Sequence, residues 1–410
     1  MDGTHFQAGF PGRLIPTIGY NRRVRNGIEE PVPVAGEAFL PDPLPPKGVD
    51  RDAFIGRLYP GISAAEQALV RVDATTFSLP NAELLLAPFR RREAKLSSQI
   101  ENTIASVEEV ALVEVDRPPA RGDAVEVYNY LRALDHGAES PLPLCVRLFH
   151  EMHALLMEGV RGDEKQPGRF RSRQNHIGGA DERFEAARFV PPPAGEHLDA
   201  CMRDLEAFLN PDGVRPPREV RYPQVIEAAM AHYQFEAIHP YADGNGRLGR
   251  LIAGLMLSKS GPLSRPIVYI SAYFEKHRRE YYDLLLRVST HGDWESWCRF
   301  FCDAVATQAE DGLCRARRLL DLRDEFVRRV TQPRWSSLLP QLVQRLFERP
   351  AVRVGQVAEM FSLSPQGAQN LIDRLASVGV LEEVTGGEYG RVYVAREIVR
   401  AIEEDEVRPG

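Results

Sequence analysis

The sequence predicts a mainly α fold that is interrupted by one β-hairpin and ends in a winged helix-turn-helix domain. Three observations predict it. Apolar residues recur at helical spacing from about residue 51 to residue 330. One stretch, PGRFRSRQNHIGGADERFEAARFVPPPAG (167–195), instead alternates polar and apolar residues around Gly178-Gly179 and closes on three prolines. From about residue 335 the order becomes helix, helix, helix, hairpin.

Residues 1–50 are proline-rich and densest in PVPVAGEAFLPDPLPPKGVD; proline fixes φ and removes a donor, so they read as an extended arm. Composition favours a tail over an ordered strap. Residues 51–120 hold the helical patterns SAAEQALVRV and PFRRREAKLSSQIE. Residues 121–330 continue with AVEVYNYLRALD, LPLCVRLFHEMHALLMEGV, EHLDACMRDLEAFLN, PQVIEAAMAHYQFEAI, RLGRLIAGLMLSKS, REYYDLLLRVS and a long pattern from Trp294 to Val330. Pro88, Pro143 and Pro223 suit first turns, where a missing N–H costs nothing. In the tail, residues 335–405, SSLLPQLVQRLF, VRVGQVAEMF and SPQGAQNLIDRLASVGV are helices, and LEEVTGGEYGRVYVA is the hairpin. Ser364 caps the third helix, with Pro365 in its first turn. That helix would be the recognition helix, yet Gln366, Gln369, Asn370, Asp373 and Arg374 bring one cation. The wing sets Glu382, Glu383 and Glu388 against Arg391. DNA binding is therefore weakly supported, and protein contact or a homodimer fits at least as well.

The chain has 410 residues, 43% of them hydrophobic, enough for two or three domains. Its 58 acidic against 51 basic residues give a net charge of −7, which argues against a nucleic-acid-coating protein and confines any basic pocket to a local patch. The five cysteines form no C-x-x-C pair and fit a reducing cytoplasm; Cys298 and Cys302 read as small buried hydrophobes. MDGTHFQAGF lacks the apolar core of a signal peptide, and LIAGLML is too short to span a bilayer, so no membrane role is expected.

The polar groups concentrate in HPYADGNGRLGR, residues 239–250. His239 ends a helical pattern before Pro240 and is mostly a neutral base at neutral pH. Gly244 and Gly246 let the backbone turn its N–H groups inward, and the helix that starts there presents an anion-binding N-terminus. Arg247 and Arg250, three apart on the first turn, oppose the helix dipole unless an anion sits between them. Asp243 suits Mg²⁺, which combines one or two carboxylates with phosphate oxygens and water; simple pairing of Asp243 with an arginine is the competing reading. Asn245 adds a neutral donor. Walker and dinucleotide-fold patterns are absent, and HEMH (150–153) has its histidines three apart, unlike a zinc protease motif.

HPYADGNGRLGR closely resembles the signature of the Fic family, His-Pro-Phe-x-Asp/Glu-Gly-Asn-Gly-Arg-x-x-Arg, with Tyr241 in the phenylalanine place. The similarity runs across residues 51–330 and includes PGRFRSRQNHIGG, ARFVPPP and AYFEKHRREYYDLL. The resemblance implies a Fic helical core at 121–330 with a β-hairpin flap. It implies transfer of AMP from ATP to a Ser, Thr or Tyr hydroxyl of a target protein or of the chain itself. By it His239 is the catalytic base, Asp243 holds Mg²⁺, and ATP lies along Asp243, Gly244, Asn245, Gly246, Arg247, Leu248, Gly249 and Arg250. The Asn245 side chain and the loop N–H groups would stabilise the transferring phosphoryl group, Arg247 would grip the β-phosphate and Arg250 the γ-phosphate. The flap residues Asn175, His176, Ile177 and Gly178 and the pair Tyr281 and Tyr282 would line the nucleotide, with the target docked around Ile177. SSQIEN matches the family's inhibitory pattern Ser/Thr-x-x-x-Glu-Gly/Asn through Ser97, Glu101 and Asn102, placed before the core as in class II members. It implies a finger on which Glu101 occupies Arg250. The same glutamate implies a reverse reaction, removal of AMP. The alternative is a transcriptional regulator or interaction module with a nucleotide-sensing core, against which the intact His239 argues.

Overall fold

The computed structural model describes residues 6–404 apart from 8, 26–27, 78–80, 116–121, 161–165, 180, 182, 212–220, 260–262 and 386–389. The proline-rich arm is not a tail. Its strands β1 (Gly12–Arg25) and β2 (Ile28–Pro41) pair antiparallel from Gly12↔Pro41 to Arg25↔Ile28. Both strands of a two-stranded sheet are edges, where proline is tolerated. The ribbon docks because Phe39 is buried against Phe6, Phe10 and Phe189, and because the Phe39 N–H donates to Val190 O at 2.8 Å. Gly19 and Gly36 leave the space that the buried Phe184 ring fills.

Five helices follow: α1 (Arg51–Phe77), α2 (Glu83–Ile100), α3 (Val107–Glu114), α4 (Asp123–Glu139) and α5 (Val146–Leu156). Pro88 lies inside α2 instead of in a first turn. The helix starts earlier than the apolar pattern suggests because Asn81 Oδ1 accepts the Glu83 N–H at 3.1 Å. Pro143 precedes α5, and Pro223 is the N-cap of α7. The alternating stretch forms the hairpin β3 (Ile177–Gly179) and β4 (Ala187–Phe189), paired at Ile177↔Phe189 and Gly179↔Ala187. Then come α6 (Glu196–Leu209), α7 (Gln224–Ile238), α8 (Asn245–Lys259), α9 (Ser271–Lys276), α10 (Arg278–His291) and the 37-residue α11 (Trp294–Val330). Helix α7 is buried on every side, through Val225, Met230, Tyr233, Phe235 and Ile238, and is the central rod of the core. The others pack around it, so whatever α7 presents at its C-terminus is held rigidly.

The tail comprises α12 (Leu338–Glu348), β5 (Ala351–Arg353), α13 (Val354–Phe361), α14 (Pro365–Ser377), β6 (Glu382–Glu383), β7 (Val392–Val394) and α15 (Arg396–Glu403), with sheet order β5-β7-β6. Ser364 Oγ accepts the Gly367 N–H at 3.1 Å, the cap expected of it. Two departures appear. The VRV of VRVGQVAEMF splits between a strand and a helix start, and α15 follows the hairpin with which the sequence reading ends. Helix α15 binds the tail to the rest of the chain: Glu403 Oε1 accepts Lys95 Nζ at 2.8 Å and the Val107 N–H at 2.9 Å, so it grips both α2 and α3. On α14 the polar side chains bond one another, Gln366 to Asn370 and Gln369 to Asp373.

Candidate active site

Helix α7 ends on His239, whose backbone is left-handed at φ 49° and ψ 60° and whose N–H donates to Phe235 O at 2.9 Å. Such a conformation costs a non-glycine residue of order 1–3 kcal/mol and is kept where the surroundings over-determine it. Those surroundings are visible. Asn245 Oδ1 accepts the Tyr241 N–H and its Nδ2 donates to Tyr241 O, both at 2.8 Å, closing the loop between α7 and α8. The Asn245 amide thereby shapes the turn with its oxygen and one of its two N–H donors. Gly244 is at φ 73°, and a Cβ there would meet Met157 Sδ at 2.9 Å. HEMH is structural: the Gly168 N–H donates to His153 Nδ1 at 2.9 Å, so His153 Nε2–H donates to Asp243 O at 3.0 Å. His150 Nδ1 bonds the Tyr241 hydroxyl at 3.0 Å, which gives the tyrosine in the phenylalanine place its partner.

Arg250 is fully buried. Its Nε donates to Ser97 Oγ, and its Nη2 donates to Ser97 O and Glu101 Oε1, each at 2.9 Å. Its Nη1 is buried without a partner among the described residues. Glu101 is the C-cap of α2, and Asn102 follows at φ 63°, which explains why glycine or asparagine suits that position. Asn102 Oδ1 accepts Arg278 Nη1 at 3.0 Å. A Cβ on Gly246 would overlap Glu101 Oε1, so the glycine is what lets the carboxylate reach the start of α8.

These groups converge on a cavity of about 570 Å³, within the range of small-molecule sites. Its lining brings together Glu101, Asn102, His176, Ile177, Gly178, His239, Gly246, Arg250, Tyr281 and Tyr282. The Tyr281 hydroxyl bonds His232 Nε2 at 2.9 Å, which leaves its ring to the cavity wall. Other predicted residues lie elsewhere. Arg247 is buried in an ion pair with Glu126 at 3.0 Å, turned from the cavity, so the grip expected of it on a phosphate is not formed here. Leu248 is core, and Gly249 packs on Phe235 and Glu236. Asn175 Nδ2 donates to Tyr241 O at 3.3 Å. The half-buried Asp243 uses Oδ1 to accept the Gly244 N–H at 2.7 Å.

Two charged cavity residues escape the motif reading, Glu236 and Arg188. Glu236 precedes His239 by three residues, so the helical repeat puts both on one face of α7. Burial, with the Glu101 charge adding to it against Arg250, pushes the Glu236 carboxyl up to about 8. Burial lowers His239 to about 4, and the Arg171 charge adds to that, against the Glu236 carbonyl and the Glu101 and Asp243 carboxylates. His239 is thus a neutral imidazole at physiological pH. Its Nδ1 is buried, which leaves Nε2 for the cavity.

Among the described residues no cluster of three metal-ligating side chains occurs. A lone carboxylate at the loop still fits Mg²⁺ that arrives with phosphate, because that ion takes most of its ligands from phosphate and water.

The chain matches the Fic/DOC family N-terminal model at residues 59–139 and the Fic/DOC family model at residues 143–257. Residues 59–139 and 143–257 are thus Fic/DOC family domains. It is similar to the Protein adenylyltransferase Fic of Culex quinquefasciatus, 35% identical over 155 residues, which cover 38% of this chain and 26% of that protein. With the protein of the same name from Drosophila grimshawi it is 26% identical over 254 residues, 58% of this chain and 48% of that one. The chain therefore spans less than half the length of these relatives. A Fic family protein from Desulfovibrio desulfuricans G20 shares its fold, with a TM-score of 0.54 at 20% identity over 83% of this chain and 95% of that one.

Proposed function

We propose that this chain is a protein adenylyltransferase that moves AMP from ATP to a Ser, Thr or Tyr hydroxyl of a target protein, or of itself, and is held in check by Glu101. One observation carries the reading: the Glu101 carboxylate lies on Arg250 in the same cavity as His239. His239 Nε2 takes the hydroxyl proton, the oxygen bonds the α-phosphorus, and the bond to pyrophosphate breaks. The backbone N–H groups at the start of α8 face the charge that develops. Asp243 would hold Mg²⁺, which when bound offsets phosphate charge. The γ-phosphate takes the place of Glu101 on Arg250, whose unpartnered Nη1 supplies a further donor. While Glu101 stays there, ATP binds with its α-phosphate misaligned for attack.

A target docks by adding its backbone to the flap at Ile177, a mode that reads little target sequence. The free cysteines fit a reducing, cytoplasmic setting, and among the described residues no helix is long and apolar enough to cross a membrane. We read residues 335–405 as a winged helix-turn-helix domain that meets protein instead of DNA, because α14 offers bonded amides and one cation.

The test is to incubate wild type, Glu101→Gly and His239→Ala with ATP and Mg²⁺ and to map modified residues by mass. Glu101→Gly gains automodification and His239→Ala loses it; equal labelling of Glu101→Gly and wild type sinks the inhibitory role. Because Glu101 and His239 share the cavity, removal of AMP is a second reading, in which Glu101 orients a water. An AMP-modified target that Glu101→Gly still hydrolyses contradicts it.

A further inference from the structure

Arg171 is a cation buried to 6% exposure whose bonds all go to backbone carbonyls. Its Nε donates to His239 O at 2.9 Å, and its Nη2 donates to Pro192 O and, at 3.5 Å, to Ile238 O. Its Nη1 donates to Arg173 O at 3.3 Å, and its own N–H donates to Pro240 O at 2.9 Å. Among the described residues it makes no ion pair. Burial lowers its pKa to about 10, which still leaves it charged at neutral pH.

Burying a lone charge is costly unless its donors are all met. Here four side-chain bonds reach three pieces of chain, the left-handed turn at 238–240, the approach to the flap at Arg173, and the proline segment leaving the flap at Pro192, which Gln174 and Asn175 also help to join. A planar guanidinium with five donors suits that task, and an ammonium does not.

We propose that Arg171 is a positioning residue for the transfer reaction, tying the His239 turn to both roots of the flap so that the base and the docked hydroxyl keep one geometry. The proposal rests on the adenylyltransferase reading and adds a residue outside HPYADGNGRLGR to it. It also has an electrostatic side. The titratable and charged groups around His239 and its cavity are Arg171 from the flap approach, His176 and Arg188 from the flap, Glu101 from α2, Glu236 from α7 itself, Asp243 from the loop, Arg250 from α8, and Tyr281 and Tyr282 from α10. Removing the Arg171 cation takes away one of the two influences that keep His239 neutral.

The experiment uses the full chain with Glu101→Gly to release inhibition, and adds Arg171→Gln or Arg171→Lys. Steady-state kcat and KM for ATP are measured across pH, and the His239 imidazole is titrated by NMR in each variant. Arg171→Gln is expected to lower kcat about 100-fold, the effect of misplacing a reacting group by about 1 Å, with KM for ATP changed less than about threefold. Its His239 titration moves up toward the ordinary histidine range, and the acid limb of kcat moves with it. Arg171→Lys keeps the low titration and still loses kcat, because it lacks the fork. A kcat within about threefold of the parent with an unmoved titration overturns the proposal, as does loss of kcat and ATP binding together, which marks a folding role only. If Arg171→Gln does not fold, Arg171→Lys and the wild-type titration decide: full kcat in the lysine variant, or His239 titrating at its ordinary value, overturns it. Should Glu101→Gly itself transfer no AMP, the adenylyltransferase reading fails, while the His239 titration in Arg171→Gln still tests the part played by Arg171.

Discussion

The proposed competition of ATP with Glu101 for Arg250 has a strength that can be worked from the contact. The perturbation is Glu101→Gly at the C-cap of α2, where the backbone is unstrained at φ −92° and glycine costs little. Arg250 is fully buried and the Glu101 side chain is 36% exposed, with 2.9 Å between Nη2 and Oε1. A hydrogen bond to a charged group contributes about 1.5–3 kcal/mol, and the exposed carboxylate puts this one at the lower end, since water screens it. At about 1.4 kcal/mol per factor of ten, ATP loses roughly tenfold in affinity by having to displace Glu101. The assay is calorimetric titration of a non-hydrolysable ATP analogue into His239→Ala and into the Glu101→Gly, His239→Ala double variant, so that no turnover intrudes. The double variant is expected to bind about tenfold tighter, and Glu101→Gln, in the same background, to fall between. Equal affinities within about threefold would refute competition at Arg250, whatever the activities do.

Glu126→Ala leaves the Arg247 charge buried and unpaired and takes an acceptor from Thr103, so denaturant unfolding should show a loss of about 3–5 kcal/mol; a loss under about 1 kcal/mol means Arg247 finds another partner. Acid should destabilise the fold through two buried neutral histidines. Burial lowers His232 to about 3 and His239 to about 4, so the unfolded chain binds the extra protons. That stability is complete above the unfolded value near 6.5 and falls by about 1.4 kcal/mol per site per pH unit as pH drops toward the folded values. Gln at both positions should flatten thermal melts measured across that window. Gly19→Ala puts a methyl into the Phe184 ring; limited proteolysis should then cut the β1–β2 ribbon while the helical core stays intact, and an uncut ribbon argues that the ring moves aside.

Much of the site was legible because HPYADGNGRLGR is contiguous. A turn between two helices must present its residues together wherever it lies in the fold. Ser97, Glu101 and Asn102 were legible only through the family resemblance, because a carboxylate at a helix end otherwise reads as solvated. The Arg247 pairing with Glu126 was not legible because the two are 121 residues apart, and charge pairing at that distance leaves no periodic trace. The part Asn245 plays in the turn leaves no trace in composition, because its amide serves the backbone four residues back. Arg171 went unnoticed because a buried arginine bonded to carbonyls has the same spacing as a surface one. The arm looked like a tail because proline content reports lost donors, whereas docking rests on Phe39 and on the gap at Gly19 and Gly36.

By itself the sequence determined the helices other than α3, α9 and α15, the flap hairpin, the cap at Ser364 and the order of the groups around His239, since each depends on neighbours within a few residues. The tertiary structure alone decided that Arg247 turns to Glu126, that Arg171 joins the base to the flap, and that α15 grips α2 and α3, and it makes the Glu101–Arg250 contact that the family resemblance implies. Each of those contacts is made by side chains remote in sequence, whose meeting depends on how the helices pack around α7.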